Sequence, residues 1–137
     1  MAESVQAATA TMFPFARYED GPAAIEWLCA AFGFERREVH EGEDGTIVHA
    51  ELGYGASVFM LDSKADAAFG LETARRLGAV TGGVYVCVEE VDEHYERAKA
   101  AGADIVRELA DTGYGSREYL ARDLEGNLWS FGTYRPG

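Results

Sequence analysis

The chain has 137 residues, is 47% hydrophobic and 26% charged, and sets 24 acidic against 12 basic side chains for a formal charge of −12. Such a length fits one compact domain or two small halves that share a core, and such a composition excludes a disordered chain. The negative field disfavours nucleic acid and anionic membrane surfaces as partners, and with only Cys29 and Cys87 a disulfide framework is not expected, so the cytoplasm is the expected setting.

The opening MAESVQAATATM has neither a basic start nor a continuous apolar run, so no secretory signal is expected. No stretch approaches the ~20 apolar residues of a spanning helix. Residues 11–18, TMFPFARY, read as a first strand, and Asp20-Gly21-Pro22 then signals a helix start. Ile25, Leu28, Cys29 and Phe32 recur at helical spacing, and Gly33 is placed to end the helix in a left-handed conformation. Strands are expected at 34–40, 46–53 and 56–62, joined through Asp44-Gly45 and Gly53–Gly55, where positive φ is easily adopted. Residues 63–81 read as a solvated connector, of which 65–77 offers the alternative of a helix over a cavity mouth.

The alternating segment 82–90 opens a second series. A helix follows in which Val91, Tyr95 and Ala98 share a face and Gly102 closes the end, with His94 expected among exposed charges. Strands near 104–109, 116–122 and 127–134 complete it. Strand, helix and three strands therefore occur twice: module 1 over about 11–63, a connector over about 64–81 and module 2 over about 82–134, within a single domain spanning 1–137. Neither half is large enough to cover the open face of its own sheet, so the halves must pair.

This doubled pattern, with AFGF ending the first helix, KAAGADI ending the second and DLEGNLWSF before the last strand, resembles the vicinal oxygen chelate superfamily of glyoxalase I, extradiol dioxygenases and bleomycin resistance proteins. IVHAELGYGASVFMLD is similar to its PhnB-like branch, and Leu124 departs from a turn where members commonly carry proline. The resemblance implies an α+β fold in which tandem βαβββ modules form a curved mixed sheet around a cavity, commonly as a homodimer. It also implies four metal-ligand positions on the first and last strands of each module, which fall here on Phe13, Met60, Gly83 and Ser130. Phenylalanine and glycine offer no donor, thioether sulfur is soft and a neutral hydroxyl is a poor ligand alone, so no metal and no cofactor are expected at those positions.

Period two along the strands assigns faces. With Phe13 toward the cavity, Phe15 and Arg17 follow; Val58, Met60 and Asp62 share that face on the fourth strand, and Tyr85 and Cys87 do so beside Gly83. Val48, Ala50 and Leu52 are expected in the core, leaving His49 and Glu51 on the cavity side, and Arg117, Tyr119 and Ala121 are expected to line the second half. The expected ligand-binding set is Phe13, Phe15, Arg17, His49, Glu51, Val58, Met60, Tyr85, Cys87, Tyr119 and Ser130. An aromatic wall with few charges in a negative field suits a cationic or aromatic small molecule.

His49 and Glu51 are the weak catalytic candidates, because alternate strand residues can reach one guest; the competing reading is a hydrogen-bonded structural pair. The run His40-Glu41-Gly42-Glu43-Asp44 reads as a solvated turn, and Trp27 and Trp129 as core. No hydrolase elbow, CxxC pair or phosphate-cradling motif is present. The expected function is a metal-independent, drug-sequestering protein; the alternative is a lyase, isomerase or dioxygenase of the same superfamily.

Overall fold

The computed structural model describes residues 10–66 and 68–137. Module 1 comprises β1 (Phe15–Arg17), α1 (Gly21–Phe32), β2 (Glu35–Glu41), β3 (Ile47–Tyr54) and β4 (Ser57–Asp62). The connector contributes the one-turn α2 (Ala74–Leu77). Module 2 comprises β5 (Gly83–Cys87), α3 (Val91–Ala100), β6 (Asp104–Asp111), β7 (Arg117–Arg122) and β8 (Leu128–Gly132).

Local chemistry sets the helix ends. The Asp20 carboxylate accepts the Ala23 N–H at 3.1 Å, Pro22 sits in the first turn where its missing N–H costs nothing, and Gly33 closes α1 at φ 81°. β1 is shorter than the expected 11–18: Pro14 has no N–H to give a ladder, although its carbonyl accepts the Met60 N–H at 3.0 Å.

Each module forms a four-stranded mixed sheet, ordered β1-β4-β3-β2 and β5-β8-β7-β6, with the first strand parallel to the last and the others antiparallel. Phe15 lies opposite Met60 and Tyr85 opposite Ser130, so corresponding residues of β1/β4 and β5/β8 are 70 apart. The helices cover one face of each sheet and pack on each other, giving one core shared by both modules. Trp129 of module 2 meets Phe34 and Phe59 of module 1 at ring-centre distances of 5.5 and 4.9 Å. Trp27 crosses the same boundary by donating its indole N–H to the Ala101 carbonyl at 3.0 Å.

Four expectations are corrected. Val48 is exposed and Ile47 is buried instead, because a register shift beside His40 adds a residue and reverses the alternation at the start of β3. Tyr119 and Ala121 lie in the core, since their partners on β8 are Phe131 and Trp129; the open face of β7 carries Glu118, Leu120 and Arg122. His94 is buried, its imidazole lodged between the Tyr119 hydroxyl at 2.7 Å and the Phe32 carbonyl at 2.8 Å. The connector is not merely solvated: Thr73 and Ala74 are buried, and the Thr73 hydroxyl donates to Glu19 of module 1 at 3.0 Å.

Candidate ligand-binding site

Two open grooves run along the seam between β1/β4 and β5. The larger, about 1040 Å³, is walled by Tyr54, Val58, Tyr85, Cys87 and Trp129, with Met12 at one side and the carboxylates of Glu89, Glu90 and Glu93 at the start of α3. The smaller, about 390 Å³, is bounded by Phe13, Phe15 and Arg17 on one side, Gly83 and Leu128 on the other, and Leu71 and Leu77 of the connector. Trp129 borders both.

Of the expected ligand-binding residues, Phe13, Phe15, Arg17, Val58, Tyr85 and Cys87 border the grooves. His49, Glu51, Met60 and Ser130 lie on the open sheet faces outside them, and Tyr119 faces the core. Arg17 is committed elsewhere. It is buried, with Nε donating to Asp62 at 2.8 Å and Nη1 to the Asp66 carbonyl at 2.7 Å, and the Asp62 hydrogen bond raises its pKa further. Tyr85 donates its hydroxyl to the Tyr134 carbonyl, and burial, then the nearby Glu118 charge, push its phenol above the usual range, so it stays protonated at neutral pH. His49 Nε2 and Glu51 Oε2 are 2.9 Å apart, a hydrogen-bonded pair on the open face of module 1.

The acidic rim and Tyr54 were not among the expected site residues. The run Glu89-Glu90-Val91-Asp92-Glu93 reads in isolation as a helix start with a charged surface, and Gly53-Tyr54-Gly55 as a hairpin. The internal repeat holds the missing signal: any β3–β4 turn must face the β5–α3 junction if the β7–β8 turn faces the β1–α1 junction.

That second junction is closed rather than grooved. Asp123, buried, accepts the Tyr18 hydroxyl at 2.7 Å and the Trp129 indole N–H at 3.0 Å on one oxygen, and the Glu125 and Asn127 backbone N–H groups at 3.0 Å on the other. Glu125, also buried, accepts the backbone N–H groups of Glu19 and Asp20 at 2.7 and 2.9 Å. Burial, reinforced by the Asp123 charge, drives the Tyr18 phenol well above its ordinary pKa, so it remains a donor. The acidic turn is a clamp between modules.

The family model of the Glyoxalase/Bleomycin resistance protein/Dioxygenase superfamily matches residues 11–131. An uncharacterized protein of Mycobacterium bovis, Mb0911c, is 30% identical over 116 residues, covering 83% of this chain and 76% of its own length. Among solved structures, TioX from Micromonospora sp. ML1 is 38% identical and superposes with a TM-score of 0.74, over 92% of this chain and 99% of that one. The fosfomycin resistance protein FosX of Listeria monocytogenes, a complex with Mn(II) and sulfate, shares the fold at 14% identity, with a TM-score of 0.65 over 93% of each chain.

Phe13, Met60, Gly83 and Ser130, the positions at which the resemblance implies metal ligands, do not fit an ion. Met60 lies between Phe15 and Glu51, Ser130 between Tyr85 and Leu120, and Gly83 opposite Leu128; the one neighbouring carboxylate, Glu51, is paired with His49 at 2.9 Å, and among the described residues no three His, Cys, Asp or Glu side chains converge there.

Proposed function

We propose that this chain, which belongs to the glyoxalase/bleomycin resistance protein/dioxygenase superfamily, binds and sequesters a small organic molecule with a flat or cationic group in the seam between its modules. The observation that carries the reading is the larger groove, where aromatic and aliphatic walls meet a rim of Glu89, Glu90 and Glu93. Aromatic faces supply burial and attract cations, and the three carboxylates outnumber the two arginines of the lining, Arg97 and Arg135, which disfavours anionic guests. Binding needs no ion at Phe13, Met60, Gly83 or Ser130, which lack suitable donors.

The working unit is a homodimer in the cytoplasm. Phe15 is 65% and Met12 85% exposed, and among the described residues no element covers the open face of either sheet. Burying such surface is worth roughly 25 cal/mol per Å². Sedimentation at micromolar protein should give twice the chain mass.

The direct test is calorimetry with a panel of planar aromatic cations and their neutral analogues, alongside tryptophan fluorescence, since Trp129 borders both grooves. Cations are expected to bind preferentially, and Tyr85→Ala and Glu93→Gln to weaken them by about tenfold each. Failure of every compound in the panel to bind removes the proposal.

A further inference from the structure

The β2–β3 ribbon carries a cluster of titratable groups that neither the grooves nor the superfamily's ligand positions use. Antiparallel pairing sets His40 directly opposite His49, and Glu38 directly opposite Glu51. All four project from the open face: Ala50 between His49 and Glu51 is fully buried on the other side, and Val39 packs against the core. Within each strand an imidazole meets a carboxylate, His40 Nε2 with Glu38 Oε1 at 3.0 Å and His49 Nε2 with Glu51 Oε2 at 2.9 Å. The two rings face each other with centres 6.2 Å apart and planes 29° from parallel.

We propose that His40 and His49 form a two-imidazole site for a divalent transition ion, with Glu38 and Glu51 as their positioning residues. A carboxylate at Nε2 holds the proton on that nitrogen and leaves the lone pair on Nδ1, the arrangement that orients metal-binding histidines. Neither Nδ1 has a hydrogen-bond partner among the described residues. The imidazoles are reachable, with side chains 61% and 42% exposed. An imidazole nitrogen about 2.1 Å from an ion puts its ring centre about 3.2 Å away, so two rings on one ion have centres about 5 Å apart at the tetrahedral angle and about 6 Å when that angle opens. The observed separation therefore asks for rotation of the two rings and not for movement of the strands.

The carboxylates supply an independent reason. Like charges directly opposite across an antiparallel pair are destabilising, and Glu38 and Glu51 occupy such a pair with no lysine or arginine between them. Arg37, next in the chain, turns to Glu35 and the Gly55 carbonyl. A cation shared by the two histidines offsets that repulsion. Among the described residues no three His, Cys, Asp or Glu side chains already converge on a metal-sized point, so the chain supplies two nitrogens and leaves the remaining positions to solvent or to donor atoms of a molecule on the open face. Nitrogen donors of this kind favour Cu(II) over Ni(II) and Zn(II).

The test is titration of the full chain with Cu(II), Ni(II) and Zn(II) chlorides by calorimetry, with electron paramagnetic resonance of the copper form. One ion per chain with a two-nitrogen copper signal is expected, His40→Ala and His49→Ala each abolishing that signal. Glu38→Gln and Glu51→Gln should weaken binding by about 10- to 100-fold while keeping the signal, and His94→Gln should leave it unchanged. His40 is exposed and His49 half-buried, and thermal melts of both variants check that they fold. A copper signal that survives both histidine replacements, or no saturable binding by the unaltered chain, overturns the proposal. Because the readout needs no organic ligand, it stands or fails separately from the sequestration reading.

Discussion

The β7–β8 turn and the β3–β4 turn occupy equivalent places in the two copies of the module, yet the seam beside them differs completely. At the first, Asp123 and Glu125 are buried and tie Tyr18, Trp129 and the backbone of Glu19 and Asp20 together. At the second, Tyr54, Gly55 and Ala56 border the larger groove, and the facing junction at Glu89 and Glu90 leads into α3 without a side-chain cap. A repeat thus yields a clamp where the turn carries carboxylates and a cavity where it carries glycine and alanine. The clamp holds the modules in register, and the unclamped end leaves room for a guest.

The strongest way to break this contrast is Asp123→Ala. It strands the Tyr18 hydroxyl and the Trp129 indole N–H in a dry interior, and each unmet buried donor costs about 1–3 kcal/mol. The expected loss is about 3–5 kcal/mol, seen as a fall in melting temperature of roughly 10 °C or more. Glu125→Ala releases two backbone N–H groups from a charged acceptor, and the loss expected in chemical denaturation is about 2–3 kcal/mol. Ala56→Ser, in the opposite turn, should change stability by less than about 0.5 kcal/mol. Equal losses at both turns would show that the clamp is not where the modules are held.

Next in size is a pH effect confined to the groove end. Desolvation by burial, with a smaller contribution from the Arg97 charge, lowers the His94 pKa from 6.5, despite the opposing hydrogen bond to the Phe32 carbonyl. The unfolded chain therefore binds this proton more readily than the folded one. Stability is full above the unfolded value near 6.5 and is lost as pH falls from there through the lower folded pKa. In His94→Gln the decline between pH 6.5 and 5 should be shallower than in the unaltered chain, measured by urea denaturation at each pH. Parallel profiles would assign the decline to other groups.

The fold was legible because the evidence for it is periodic and repeated. Gly33, Asp20 and the alternation in β4 report local geometry that tertiary context did not overturn. What escaped was long-range. His94 reads as exposed from its charged neighbours in the helix, but a core face at Val91, Tyr95 and Ala98 carries it inward to Phe32 and Tyr119. Tyr119 and Leu120 are both apolar enough for either side of β7, and only pairing with Phe131 and Ser130 decides between them. Val48 fails through a single register shift, which inverts every face before it and leaves no mark in composition. The clamp is illegible for a related reason: DLEGN has the residues of an ordinary turn, and the Tyr18, Glu19 and Asp20 donors that tie its carboxylates to the other module lie over a hundred residues away.

The smallest expected effect tests what holds α3 at the unclamped end. Arg117 of β7 makes a forked ion pair with Asp92 in the first turn of α3, with Nε to Oδ1 at 2.9 Å and Nη2 to Oδ2 at 3.1 Å, and its Nη1 reaches Asp111 at 3.2 Å. Both Asp92 and Asp111 are exposed, so solvent screens an attraction that the buried carboxylates of the clamp keep. Arg117→Ala should therefore lower the melting temperature only slightly at low salt, and the difference should shrink toward zero in about 1 M NaCl. Glu125→Ala should keep most of its cost in the same salt series, because its short contacts are to the Glu19 and Asp20 backbone N–H groups and only the longer ion pair with half-exposed Arg75, at 3.7 Å, is open to screening. If the two variants respond alike to salt, the two ends of the seam are held by the same physics and the distinction between clamp and groove fails.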